Sequence, residues 1–252
     1  MSRRAILIGC PNTPGQGALR GTGRDVANYY AFLRSPVGGA WNNTEIVRMV
    51  DPLRTEVRQA VQDASDHDYV FILFSGHGSH PHGNPDQLST RLRLEGGTMA
   101  ARQLDPGNGR CTIVVDSCRT PGIIVENLQQ LLTENRRVAA REPARPGRQE
   151  YRDAFDAAVG RCPEQTVYLF GCTIGETAKD DANLGGLFPR TLITRAIAWE
   201  RNRTGENATF KVNSVLYKAA MLVALDSALD QIPRLTRDVP YGLYFPFAVY
   251  RS

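Results

Sequence analysis

Lysine is nearly missing from this 252-residue chain: Lys179, Lys211 and Lys218 are its only lysines, and every other basic residue is arginine. The bias fits a GC-rich bacterial genome and carries no chemistry by itself. A large excess of one sign of charge is also missing. A net charge of +4, with the basic residues dispersed except in one stretch, lacks the concentrated basic face that a nucleic-acid partner requires. No apolar run approaches the roughly 18 residues of a membrane span, so no membrane partner is expected. The five cysteines, at 10, 111, 118, 162 and 172, are an odd number without framework spacing. They read as reduced thiols in a cytosol-like compartment. The opening Met-Ser-Arg-Arg leads straight into a strand-like run rather than a signal peptide, and a cytoplasmic location is expected.

What is present is ordinary for a globular protein: 42% hydrophobic and 22% charged residues, enough for a core that needs no disulfide or metal staple. Apolar runs alternate with helical patterns. Strands are expected at 5–8, 44–50, 69–74, 111–115, 166–170 and 243–250, with Pro246 marking the last as an edge strand. Helical periodicity covers 25–33, 54–64, 187–199 and 212–229. Runs apolar on both faces, such as YVFILF at 69–74, belong to strands covered on both sides. The expectation is therefore one α/β domain over 1–252, with a largely parallel sheet of about six strands between helices. One stretch breaks the rhythm. Residues 136–152 (RRVAAREPARPGRQEYR) hold six arginines and two prolines with hardly a bulky apolar side chain. They read as an exposed connector and a site for proteolytic nicking, at Arg136, Arg137, Arg141, Arg145 or Arg148.

Two strand ends carry the chemistry. YVFILF runs into Ser75-Gly76-His77-Gly78, and the 111–115 strand runs into Asp116-Ser117-Cys118. In open parallel sheets, ligands collect beyond the carboxyl ends of strands. An imidazole and a thiol delivered there can act together, because only the thiolate attacks well and a neighbouring imidazole can take its proton. Gly78 and Cys118 would offer backbone N–H groups to the oxyanion. Spacing alone leaves packing and catalysis evenly matched for these residues. Cys10 and Cys172 also end strands but lack a companion histidine motif, and Cys111 and Cys162 read as packing.

Together the SGHG and DSC motifs resemble the metacaspase branch of the caspase-like cysteine peptidases, as do the helix-opening GTGRD and the later Gly186-Leu187-Phe188 segment. That resemblance implies a caspase-like three-layer sandwich and an endopeptidase acting on proteins or peptides, with His77 as base and Cys118 as nucleophile. It further implies cleavage after Arg, or Lys, with Asp25, Ser75 and Asp116 lining the pocket for that side chain. On the residues alone, Asp25 reads equally well as a helix N-terminal acid. An activating protease as partner, a zymogen form, and a part in bacterial cell death or defence follow by the same analogy. The chain departs from the family after the nucleophile, with Cys118-Arg119-Thr120-Pro121 where Cys-His-Ser-Gly is usual. It also carries Thr22 where some relatives have a second cysteine. Between His80 and Arg93 there is one acid, Asp86, too few oxygen ligands for calcium activation, and no cofactor is expected.

Two other readings compete. His77, His80 and His82, with Asp86 after them, could hold Zn²⁺ in a metal hydrolase, although no histidine follows His82 to complete a site. A catalytically silent scaffold is the other, against which the pairing of His77 with Cys118 argues. GQGALRG has the wrong spacing for a dinucleotide fingerprint.

Overall fold

Alternating side chains on the central strands divide the interior into two cores. On β1 (Arg3–Cys10), Ala5 and Leu7 join one buried cluster while Ile6 and Ile8 join the other. On β3 (Tyr69–Gly76), Tyr69, Phe71 and Leu73 separate in the same way from Val70, Ile72 and Phe74. A strand buried on both faces can only lie inside a sheet covered on both sides. The computed structural model describes residues 1–13, 15–120, 147–204, 206–237 and 243–252.

The central sheet has six strands in the order β10-β8-β7-β3-β1-β2. Here β2 is Ile46–Val50, β7 Arg110–Asp116, β8 Gln165–Phe170 and β10 Arg234–Arg237. All pairings are parallel except β10 on β8. One face carries α1 (Gly21–Arg34), α3 (Arg148–Gly160), α4 (Leu187–Arg201) and α5 (Val212–Asp226). Val57 and Val61 of α2 (Arg54–Asp63) pack on the other face. Beside them lies a small antiparallel sheet of β4 (Gly78–Ser79), β5 (Arg91–Leu94) and β6 (Gly97–Ala100). The expected caspase-like sandwich, about six strands between helices, is the fold observed.

Three details differ from expectation. The final strand is β11 (Pro246–Tyr250), and it leaves the central sheet to pair antiparallel with β9 (Ala208–Lys211). The sixth central strand is β10 instead, whose RLTR sequence is too short and too charged to stand out. Residues 148–152, read as the end of the connector, form the first turns of α3. Arg148 donates to the carbonyls of Arg34 and Trp41, and Arg152 pairs with Glu45. Arg136, Arg137, Arg141 and Arg145 lie outside the described residues.

Arg3 anchors the edge of the first core. Its side chain is fully buried, donates to Gly39 O at 3.0 Å, and lies 3.4 Å from Asp156 and 3.9 Å from Glu45. The guanidinium sits 4.6 Å from the Trp41 ring centroid. Removing one member of a buried ion pair strands the charge left behind. Arg3→Met should therefore lower unfolding stability by about 3 kcal/mol, read from urea denaturation. An unchanged midpoint would contradict this account of the core edge.

Candidate active site

Register decides where the two chemical turns meet. β3 and β7 are parallel neighbours, and Ser75 lies directly opposite Asp116. His77 and Cys118 each follow those partners by two residues, so both leave the same carboxyl edge at the same level, on strands about 4.8 Å apart. The turns also touch. A Cβ built on Gly78 would lie 2.6 Å from Ser117 Oγ and 2.8 Å from the Cys118 carbonyl oxygen. Only glycine permits that approach.

His77 is 7% exposed, and its Nε2 lies 2.6 Å from the carbonyl oxygen of Gly17. A carbonyl only accepts, so Nε2 carries the proton and Nδ1 is left as the basic nitrogen. Cys118 is partly exposed, unlike Cys10, Cys111, Cys162 and Cys172, which are all buried. Burial raises the Cys118 thiol above its ordinary range, and Asp116 raises it further; a backbone hydrogen bond at Ala178 and the nearby Lys179 oppose the shift. The resting sulfur is a protonated thiol that needs a base at the moment of attack. Burial pushes Cys10 up to about 12 and Cys111 and Cys172 well above the usual range, making them poor nucleophiles.

Beneath the turns lies a cluster of acids. Asp25 stands in the second turn of α1, so it is not a helix N-terminal acid; the α1 first turn holds none. Its carboxylate accepts from Ser75 Oγ at 2.7 Å and from Gly186 N at 3.0 and 3.1 Å. A Cβ on Gly186 would come within 2.1 Å of Asp116 Oδ2 and 3.1 Å of Asp25 Oδ2, so both carboxyl groups converge on this glycine. Asp25, Ser75 and Asp116 are thus neighbours in space as well as in motif. Burial drives Asp25 up to about 7, with the Ser75 and Gly186 bonds pulling against it. Burial and the proximity of Asp25 and Asp180 drive Asp116 well above the carboxylate range. Asp116 Oδ1 is buried without a hydrogen-bond partner.

Asp180 escaped the sequence reading. It accepts from Gly21 N at 3.0 Å through Oδ2, while its buried Oδ1 has no partner. Burial raises it too, and the nearby His77 pulls it down. The acidic pair Asp180-Asp181, just before the Gly186-Leu187-Phe188 segment, was the signal available in the sequence. Arg190 is the cation that moderates Asp25 and Asp116.

Arg119 was noted only as a departure, yet it is wholly buried. Its guanidinium lies 4.2 Å from the Phe170 ring centroid and donates to Thr90 Oγ1, Cys172 O and Gln87 O, each at 3.0 Å. Stacking and forked donation of this kind suit arginine and not histidine.

The histidine cluster does not assemble. His80 engages both ring nitrogens, Nδ1 at 3.1 Å from Thr90 Oγ1 and Nε2 at 2.8 Å from Asn84 O. His82 is exposed. Asp86 caps the 3₁₀ turn Gln87–Ser89 through Leu88 N and Ser89 Oγ. Among the described residues, no three His, Cys, Asp or Glu side chains are grouped to hold a metal ion, the acid cluster included. No helix there is long and apolar enough to cross a membrane.

Comparison with known proteins agrees with this architecture. No curated protein matches the sequence. The fold is similar to that of caspase-1 from Spodoptera frugiperda, with a TM-score of 0.61 at 14% identity, over 97% of this chain and 90% of that one. A model of the caspase domain matches residues 2–242. The chain belongs to the caspase-domain family of cysteine peptidases.

Proposed function

We propose that this protein is an endopeptidase of the metacaspase type that cleaves proteins after arginine, and less readily after lysine, through His77 and Cys118. The observation that carries the reading is the Ser75–Asp116 register, which brings both turns to one level directly above the acids. His77 Nδ1 takes the Cys118 proton as sulfur attacks the scissile carbonyl. The N–H groups of Gly78 and Cys118 face the developing oxyanion, a contribution typically of about 3 kcal/mol each. The imidazolium then protonates the leaving amine, and a thioester remains on Cys118. Water, deprotonated by the same imidazole, hydrolyses it and regenerates the thiol.

Electrostatics favours a cationic side chain in the pocket. Asp25 and Asp116 lie buried with a bare carboxylate oxygen between them and one moderating arginine. A guanidinium brings five donors and a full positive charge, enough to span two carboxylates; an ammonium is a single point. An aspartyl side chain would meet like charge. Cleavage within the connector at Arg136, Arg137, Arg141 or Arg145 is the regulation this specificity suggests. It rests on composition alone.

A fluorogenic peptide panel tests the specificity. Arginine at the cleaved position should be preferred over lysine by about tenfold and over aspartate by far more, and Cys118→Ala should abolish turnover. Preference for aspartate would refute the pocket assignment.

Acidity gives a second test. Below pH about 7 Asp25 holds a proton, so KM for arginyl peptides should rise as the pH falls through that value. The same shift works against the fold. The native state keeps a proton that the unfolded chain releases, so stability falls between pH of about 4 and 7, by a few kcal/mol in all. Asp25→Asn should be more stable than wild type at pH 8, yet bind arginyl peptides at least about tenfold more weakly. Equal stability at pH 8, or a KM flat between pH 6 and 8, would contradict this.

Intact mass spectrometry tests the connector. A fully active preparation should contain chain cut between residues 136 and 147; only uncut chain would rule that regulation out.

A further inference from the structure

Neither the acid pocket nor the proposed chemistry employs the bonds that fasten the two turns together on the opposite side. The residue after the nucleophile, Arg119, sends its Nε to the hydroxyl of Thr90 at 3.0 Å. The same hydroxyl lies 3.1 Å from Nδ1 of His80, three residues after His77. Thr90 is fully buried and His80 is 3% exposed. The main chain closes the loop, with His80 N donating to Thr120 O at 3.2 Å and Arg93 N to His77 O at 2.9 Å. One side-chain path therefore runs from the base turn to the nucleophile turn, through a single oxygen.

We infer that the Thr90 hydroxyl is a positioning group for the reaction, holding the Cys118 turn at fixed distance from the His77 turn through Arg119 and His80. Its chemistry suits the task. His80 Nε2 faces the Asn84 carbonyl at 2.8 Å and so carries hydrogen. In the neutral ring Nδ1 is then an acceptor: the Thr90 O–H donates to it while a lone pair of the same oxygen receives Arg119 Nε–H. In the protonated ring Nδ1 donates instead, and the hydroxyl turns to Gln87 O, 2.9 Å away. Each arrangement satisfies every member, so the joint holds in both ring states. The other Arg119 donors fix the nucleophile turn to Cys172 O, two residues past β8, and to Gln87 O. Arg119 N bonds Glu176 O at 2.9 Å and Gly175 N bonds Arg119 O at 3.0 Å. With Arg119 anchored on that side, its side-chain link toward the His77 turn runs through Thr90.

This inference rests on His77 and Cys118 being the reacting pair, but not on the arginine preference. Steady-state kinetics on the full chain with an arginyl peptide provide the test, alongside thermal melting. Thr90→Val keeps the shape and removes the hydroxyl. Displacement of one reacting group by a fraction of an ångström should lower kcat by about 10- to 100-fold, while KM stays within about twofold because the acid pocket is untouched. Thr90→Ser, which restores the hydroxyl, should recover kcat to within about threefold of wild type. A folded Thr90→Val variant with wild-type kcat, a loss confined to KM, or a serine variant as impaired as valine would each overturn the proposal. If Thr90→Val does not fold, Arg119→Lys decides, since one ammonium cannot reach three acceptors. A kcat loss with unchanged KM supports the joint, and wild-type kcat refutes it. If the wild type cleaves no arginyl peptide, the arginine reading fails by itself. The alkylation rate of Cys118 by iodoacetamide then tests the joint: slower in Thr90→Val than in wild type supports it, and equal rates overturn it.

Discussion

A single pairing of neighbouring strands governs the rest of this molecule. Ser75 faces Asp116 across the β3–β7 ladder, and His77 and Cys118 each follow within two residues of that contact. A one-residue slip would move every side chain on one strand to the opposite face. The slip is resisted because β3 is buried on both sides, with Tyr69, Phe71 and Leu73 in the first core alternating with Val70, Ile72 and Phe74 in the second. Core packing thereby fixes the level at which an imidazole and a thiol emerge. Ser75 and Asp116 themselves turn toward α1, where Asp25 waits, so one register sets both the level of His77 and Cys118 and the acid cluster beneath them.

The pocket is held at a cost to stability. Two or three carboxyl groups lie close together in a buried site, with Arg190 the cation among the described residues that moderates Asp25 and Asp116. A chain selected for stability alone would place amides or apolar groups there. Glycines make the convergence physically feasible, since any side chain at Gly186 would collide with Asp116. On the proposed reading, the bare oxygens of Asp116 and Asp180 are groups whose partner arrives with the substrate. The sulfur is treated similarly: burial keeps Cys118 protonated until a base is engaged, which protects it from indiscriminate alkylation and oxidation.

Much of this was legible in the order of residues, for reasons that differ by feature. The double-sided apolar runs announced buried parallel strands, and the strand-end motifs announced the chemical edge. Asp25, Ser75 and Asp116 came from resemblance, and the structure brings them together; the residues alone could not separate Asp25 from a helix-capping acid. Three features stayed hidden. β10 is four residues with two arginines, and its place in the sheet depends on pairing with β8 rather than on its own pattern. The RLRLEGG run forms a hairpin whose apolar face, Leu92 and Leu94, is buried against a second sheet face that sequence alone could not assign. Asp180 and Thr90 act through partners distant in sequence, Gly21 and Arg119, and no local pattern marks a side chain whose value lies in such contacts.

The most direct measurement is labelling by an arginyl electrophile that reacts with an active-site thiol, read by intact mass and peptide mapping in wild type and in Asp116→Asn. The account predicts one adduct, on Cys118, forming at least about tenfold more slowly in the variant, because sulfur and carboxylate serve the same substrate residue. An adduct on another cysteine, or equal labelling by an aspartyl counterpart, would contradict it.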